Sequence, residues 1–220
     1  MDTPVATTGA TRAGNEKAGL VVLIAGIGIM IGSAGSAVTE WMGVAMLVGF
    51  LGMVYGLPGI HDYQAPHDGA PGKWGAMLIR YGGAVVLLLG IVYLVWEAFG
   101  DPPDEGPAVV DVLWMIGFFS FAIGVILFAI GTIRAKVLPQ AAGVLMLVGL
   151  VAGLAIDMAT GAFFEDDGTT TEWGFYLGVP VFGLGLAWAG YSVWKGGSSS
   201  APPPAPAAPS DAPPVVPPPA

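Results

Sequence analysis

No cysteine occurs anywhere in the chain. Disulfides, haem-thiolate, iron–sulfur and Cys-zinc sites are therefore excluded. Cations are scarce as well: seven Lys and Arg stand against 16 Asp and Glu, for a net charge of -9. Binding nucleic-acid phosphates needs clustered basic side chains, and these seven are scattered, so a nucleic-acid partner is excluded. Charged residues of both signs make up 10% of the chain, against about 25% in a soluble domain. So few charges cannot build a water-facing surface, and lipid is the implied solvent for most of the molecule.

What the chain has in abundance is apolar sequence, 55% of its 220 residues. A helix needs about 20 apolar residues to cross the hydrocarbon core. Six runs qualify, at 18–38, 41–59, 74–96, 108–133, 138–157 and 174–194. They are continuously apolar, so a β-barrel of alternating polarity is ruled out. The expected fold is an all-α integral membrane bundle of six helices, spanning 18–195. A disordered arm (1–17) precedes it and a disordered Pro/Ala-rich tail (196–220) follows, with ten prolines among its last nineteen residues. Arg12 and Lys17 before an apolar run that ends in small residues at 33–37 also suit a signal peptide. Cleavage there would leave almost nothing before the next run, so a retained helix is expected.

The charges sort by side. Arg12, Lys17, Lys73, Arg80, Arg134, Lys136 and Lys195 lie in or beside the N-terminal arm, the second and fourth gaps and the start of the tail. Eleven carboxylates, among them Asp101, Asp104, Glu105, Glu165, Asp166 and Asp167, lie on the other side. The positive-inside rule then places both termini in the cytoplasm of a cell-membrane protein, with Lys73, Arg80, Arg134, Lys136 and Lys195 as anchors. Trp41, Trp74, Trp96, Trp114, Trp173 and Trp194 lie near run ends, as an interfacial belt requires.

Glycine counts 35, and much of it falls within the runs. Small residues four apart at Gly28/Gly32, Gly52/Gly56 and Gly149/Gly153 are candidates for helix packing, since they let backbones approach in lipid. Gly117, Gly124 and Gly131 repeat at seven. Runs two, four and six resemble one another, as do three and five, which suggests a duplicated parallel hairpin. The segment Arg134-Ala-Lys-Val-Leu-Pro-Gln-Ala-Ala-Gly143 resembles the Arg-Ala-x-Val-Leu-Pro-x-x-Ala-Gly cytoplasmic turn of uncharacterised prokaryotic multi-pass membrane proteins. The resemblance covers runs four and five and implies a helix–turn–helix on the cytoplasmic side, with no activity attached.

Chemistry-bearing groups are few. His61, Asp62, His67 and Asp68 are candidate ligands for a divalent metal. Pro66, Gly69 and Pro71 argue that no helix fixes their faces, and the segment reads as a solvated polar loop. Ser120 and Thr132 are isolated in apolar sequence and are expected to bond back to the backbone. The acidic clusters fit no EF-hand and read as a solvated rim. No nucleophile–base set or phosphate loop occurs, so neither enzyme activity nor a cofactor is expected. The resulting expectation is a non-enzymatic structural, accessory or small-molecule-binding membrane component. Its partners are the bilayer and either further copies of itself or another membrane protein. The alternative is an uncoupled permease or channel subunit.

Overall fold

The computed structural model describes residues 8–36, 41–100, 108–160 and 173–196, and every regular element among them is helical. These elements are α1 (Thr8–Ser36), α2 (Trp41–Phe99), α3 (Ala108–Ala135), α4 (Gln140–Thr160) and α5 (Trp173–Trp194). Each contains a segment long and apolar enough to cross a membrane. The all-α helical membrane bundle is thus as the composition requires, but the continuous elements number five instead of six.

The difference lies in α2, whose 59 residues contain both the second and the third apolar run. A straight helix of that length would extend about 88 Å. It is instead broken at Gly69, where φ is 64° and ψ is -159°. A Cβ on Gly83 would lie 2.8 Å from Val54 Cγ2. These two residues would be roughly 44 Å apart on an unbroken helix, so the chain reverses at Gly69 and α2 consists of two arms folded against each other. The same observation removes the repeated hairpin as a structural unit. Its first copy is one element broken at a single glycine, while its second is two helices separated by residues 136–139.

The expected loop between these runs is helical on both sides of the break. Pro66 withholds one backbone bond, from the carbonyl of Asp62, but both residues are exposed, so the freed carbonyl is accessible. Pro71 falls in the first turn of the second arm, where a missing N–H costs nothing. The N-terminal arm is also shorter than its polarity implies, since α1 begins at Thr8. Residues beyond 196, and most of the acidic outer clusters (Glu40, Asp101, Asp104, Glu105, Glu165, Asp166, Asp167 and Glu172), lie outside the described residues.

The elements close a circuit in which α1 packs on α2, α2 on α3, α3 on α4, α4 on α5, and α5 back on α1. Contacts run in opposite sequence directions along each seam, so neighbours are antiparallel. Gly32 meets Met46 while Gly56 meets Val22; Gly75 meets Phe128 while Gly82 meets Phe121. One apolar core fills the centre, with Val22, Ile29, Met53, Leu57, Ile79, Phe128, Met146 and Leu186 almost fully buried. Large apolar side chains also face outward, including Ile24 (55% exposed), Leu88 (61%) and Ile116 (57%). A molecule apolar on both its inner and outer surfaces is what a lipid solvent permits.

Candidate functional site: a buried polar cluster at the reversal of α2

His61, Gln64 and Asp68 stand at positions i, i+3 and i+7 of the first arm of α2. At 100° per residue they share one helical face. That face turns inward just before the reversal at Gly69. Gln64 is fully buried and Asp68 is 3% exposed. His61 Nδ1 lies 2.7 Å from Asp68 Oδ2. A bond in which the carboxylate accepts requires the hydrogen on Nδ1. Across the seam, Gln64 Nε2 donates to Thr132 Oγ1 of α3 at 3.1 Å, and Thr132 is itself fully buried.

Two glycines make room for this arrangement. A Cβ on Gly72 would collide with the Asp68 carboxylate, so the first turn of the second arm can lie against that side chain only without one. Gly131, beside Thr132, approaches Gly72 so closely that a Cβ would lie 2.7 Å from its Cα. The second arm and α3 therefore meet backbone to backbone at this end. Gly69 supplies the turn. Its φ and ψ fall in a region that is essentially restricted to glycine, although nothing but Pro71 Cδ at 3.9 Å would touch an added Cβ.

Two polar atoms of the cluster have no partner. Gln64 Oε1 and Asp68 Oδ1 are both buried and accept no hydrogen bond. Their residues are four apart, on adjacent turns of the same face. Buried polar atoms are nearly always satisfied, so this pair of acceptors on one face calls for a hydrogen-bond donor, which the Gln64 amide supplies if its oxygen and nitrogen exchange places.

Of the four candidate metal ligands, the structure brings His61 and Asp68 together and leaves Asp62 and His67 exposed. Among the described residues no three His, Cys, Asp or Glu side chains gather, so a divalent site built from all four has no geometric basis. Thr132, expected to bond back to its own helix, receives a side-chain bond from α2. Gln64 and Thr132 were not legible as partners while residues 61–68 were read as a loop. The signal that finds them is the helical spacing 61/64/68, once the helix is carried through Pro66.

The anchors Lys73, Arg80, Arg134, Lys136 and Lys195 are all exposed. Lys195 Nζ sits 4.6 Å from the centre of the Trp194 ring, and Lys136 takes φ 55° in the α3–α4 turn. The glycines singled out by four-residue spacing all lie at interhelical contacts. Gly28 faces Ala45 and Gly49, Gly32 faces Met46, Gly52 faces Ala25, Gly56 faces Val22, Gly149 faces Phe182, and Gly153 faces Gly174. The pairs at seven-residue spacing are at least as close. Gly19 and Gly26 of α1 meet Gly190 and Gly183 of α5 reciprocally, backbone on backbone. At the far end of α4, Asp157 Oδ1 accepts from the Gly174 N–H at 2.7 Å and so caps α5. Set against known protein families, curated proteins and solved structures, the chain matches none of them.

Proposed function

We propose that the chain is a non-enzymatic component of the cell membrane that crosses the bilayer six times and serves a structural, accessory or small-molecule-binding role. The two arms of α2 support six crossings, because a hydrocarbon core about 30 Å thick accommodates each arm separately. Both termini then lie on the cytoplasmic side, together with the reversal at Gly69 and the turn at 136–139. The placement of the cations Lys73, Arg80, Arg134, Lys136 and Lys195 supports that orientation.

The observation that carries the non-transporting reading is the filling of the bundle centre. Met53, Leu57, Ile79, Phe128 and Leu186 are each at most 1% exposed. A conduction path would need polar side chains or irregular backbone along the middle of the bundle. Among the described residues, the buried polar side chains are Ser33 and Ser192, which bond back to carbonyls of their own helices, and Gln64, Asp68 and Thr132, which lie together at the reversal of α2.

Two experiments test the proposal. Purified protein in proteoliposomes should pass no more solute than empty vesicles, while gentle solubilisation should retain a defined partner or a defined number of copies. Saturable solute flux would establish the permease reading in its place. Single cysteines introduced at positions 103 and 168 should react with impermeant reagents from outside the cell. Labelling only after the cytoplasmic face is opened would reverse the orientation.

A further inference from the structure

We infer that the lipid-facing side of the second arm of α2 holds one anionic phospholipid, with Lys73 and Arg80 on its phosphate and Trp74, Met77 and Tyr81 against its glycerol and acyl chains. The site goes beyond the accessory role proposed above and needs only that α2 crosses the membrane. The orientation proposed there decides which leaflet supplies the lipid.

Helical spacing gathers these five side chains. Lys73 and Arg80 stand at i and i+7, as do Trp74 and Tyr81, so each pair lies two turns apart on nearly the same line. Met77 falls between the two lines. All five are exposed, Trp74 at 56% and Tyr81 at 64%. The opposite side of the arm is committed to the bundle. Gly75, Ala76, Ile79, Gly82 and Gly83 are buried there, Gly75 and Gly82 against α3 and Gly83 against Val54 of the first arm. The exposed patch therefore faces lipid. Arg80 is about 10 Å deeper along the axis than Lys73, inside the apolar run at 74–96. Side chains on a helix lean toward its N-terminus, which for this arm is the reversal at Gly69, so the guanidinium is carried back toward Lys73.

Charge selects the ligand. Among the described residues neither cation pairs with a carboxylate: Asp68 is held by His61, and the exposed Asp62 joins neither. A cation inside an apolar run is costly unless something compensates it, and the anion within reach of that depth is a phospholipid phosphate. Arg presents a fork that matches phosphate oxygens, and Lys adds a point charge. Trp and Tyr set an apolar body beside the chains and a polar tip at the headgroup. Two cations around one phosphate leave no place for a headgroup ammonium beside Lys73, so a glycerol-type anionic headgroup is favoured over a zwitterionic one. A soluble phosphate would gain nothing from Trp74, Met77 and Tyr81. The chain's carboxylates lie at the ends of its apolar runs or outside them, so a second copy has none to set opposite Arg80.

Native mass spectrometry of the full-length protein, stripped of lipid in a non-ionic detergent, tests the site with phosphatidylglycerol and phosphatidylcholine of equal chain length. One phosphatidylglycerol per chain should be retained, with an affinity about tenfold or more above that of phosphatidylcholine, the worth of one charge-assisted hydrogen bond. Lys73→Gln/Arg80→Gln should abolish that preference. Arg134→Gln/Lys136→Gln, which removes two exposed cations at the α3–α4 turn, should keep the wild-type ratio. Millimolar glycerol phosphate should not displace the lipid. Equal retention of the two lipids by the wild-type protein, an undiminished preference in Lys73→Gln/Arg80→Gln, equal loss in both double variants, or displacement by glycerol phosphate would overturn the site. So would a Lys73→Gln/Arg80→Gln protein that keeps its lipid but changes from dimer to monomer, since the face would then be a contact between copies. Should that variant not fold, the wild-type ratio and the Arg134→Gln/Lys136→Gln protein still decide.

Discussion

Replacing Gly26 with alanine probes the seam that closes the bundle. The Cβ added there would meet the backbone nitrogen of Ala187, the carbonyl oxygen of Gly183 at 2.5 Å and Ala187 Cα at 2.8 Å. All three are backbone atoms of α5, so no side chain can swing away to relieve them. Ordinary contact begins near 3.4 Å, so α1 and α5 must separate by somewhat less than 1 Å. A gap of that size forfeits about a quarter to a half of the dispersion energy of the atoms facing it. Val22, Ala25, Ile29, Leu186, Ala189 and Val193, all at most 1% exposed, are among the buried side chains of these two helices. Overpacking of this kind costs about 1–3 kcal/mol, and the better helix propensity of alanine returns up to about 1 kcal/mol. A net loss of roughly 1–2 kcal/mol corresponds to a midpoint lower by about 2–8 °C for a chain of this size.

The control is Gly90→Ala, at a helical position where nothing lies within 4 Å of the added carbon; it should leave the midpoint unchanged or raise it slightly. Both variants would be followed by thermal unfolding in detergent. The double variant Gly26→Ala/Gly183→Ala should lose less than the two singles combined. The Gly183 Cβ points at the Gly26 carbonyl, 2.8 Å away, and the separation forced by one substitution accommodates the other. If Gly26→Ala is as stable as Gly90→Ala, the seam is looser than described and the argument from backbone contact fails.

Three further substitutions separate local causes. Gly69→Ala should destabilise by about 1–3 kcal/mol through its backbone angles alone, and a midpoint equal to wild type would mean that the reversal does not need them. Asp157→Ala removes the cap on the Gly174 N–H and should cost about 1 kcal/mol; Asp157→Asn, which keeps an acceptor oxygen, should lose less, and the ranking of the two midpoints checks the cap. Thr132→Val leaves the Gln64 amide without its acceptor and should cost about 1–3 kcal/mol, whereas Ser120→Ala, with no such partner across a seam, should change the unfolding midpoint little.

The apolar runs were legible because lipid imposes a length and a polarity that no packing detail can override. Each run overlaps a helix for most of its length, with boundaries shifted where polar residues remain helical, as at Thr8–Lys17 and at 60–68. The second shift concealed the polar cluster. Pro66, Gly69 and Pro71 are all breakers by composition, but they do different work. Pro66 is tolerated because its freed carbonyl is exposed, Pro71 occupies a first turn, and Gly69 alone breaks the helix. Composition weighs the three alike, while backbone geometry separates them. Glycine spacing shows a related limit. Four-residue pairs mark small faces, but the partner of each face is set by the tertiary circuit. The seven-residue pairs Gly19/Gly26 and Gly183/Gly190 become a seam only when helices from opposite ends of the chain are placed side by side. Gln64 and Thr132, 68 positions apart, are joined by the same kind of distant encounter.

The closed circuit also bears on how the protein is made. Helices enter the membrane in order from the N-terminus, and domains generally assemble in that order during synthesis. α1 can pack on the first arm of α2 early, but its other face, with Gly19 and Gly26, has no partner until α5 has been synthesised and inserted. For most of translation that glycine-lined face is in contact with lipid or with whatever insertion machinery stands beside it. The final helix therefore acts as a keystone, and a nascent chain halted before Trp173 would present an open ring to the quality-control proteases of its membrane.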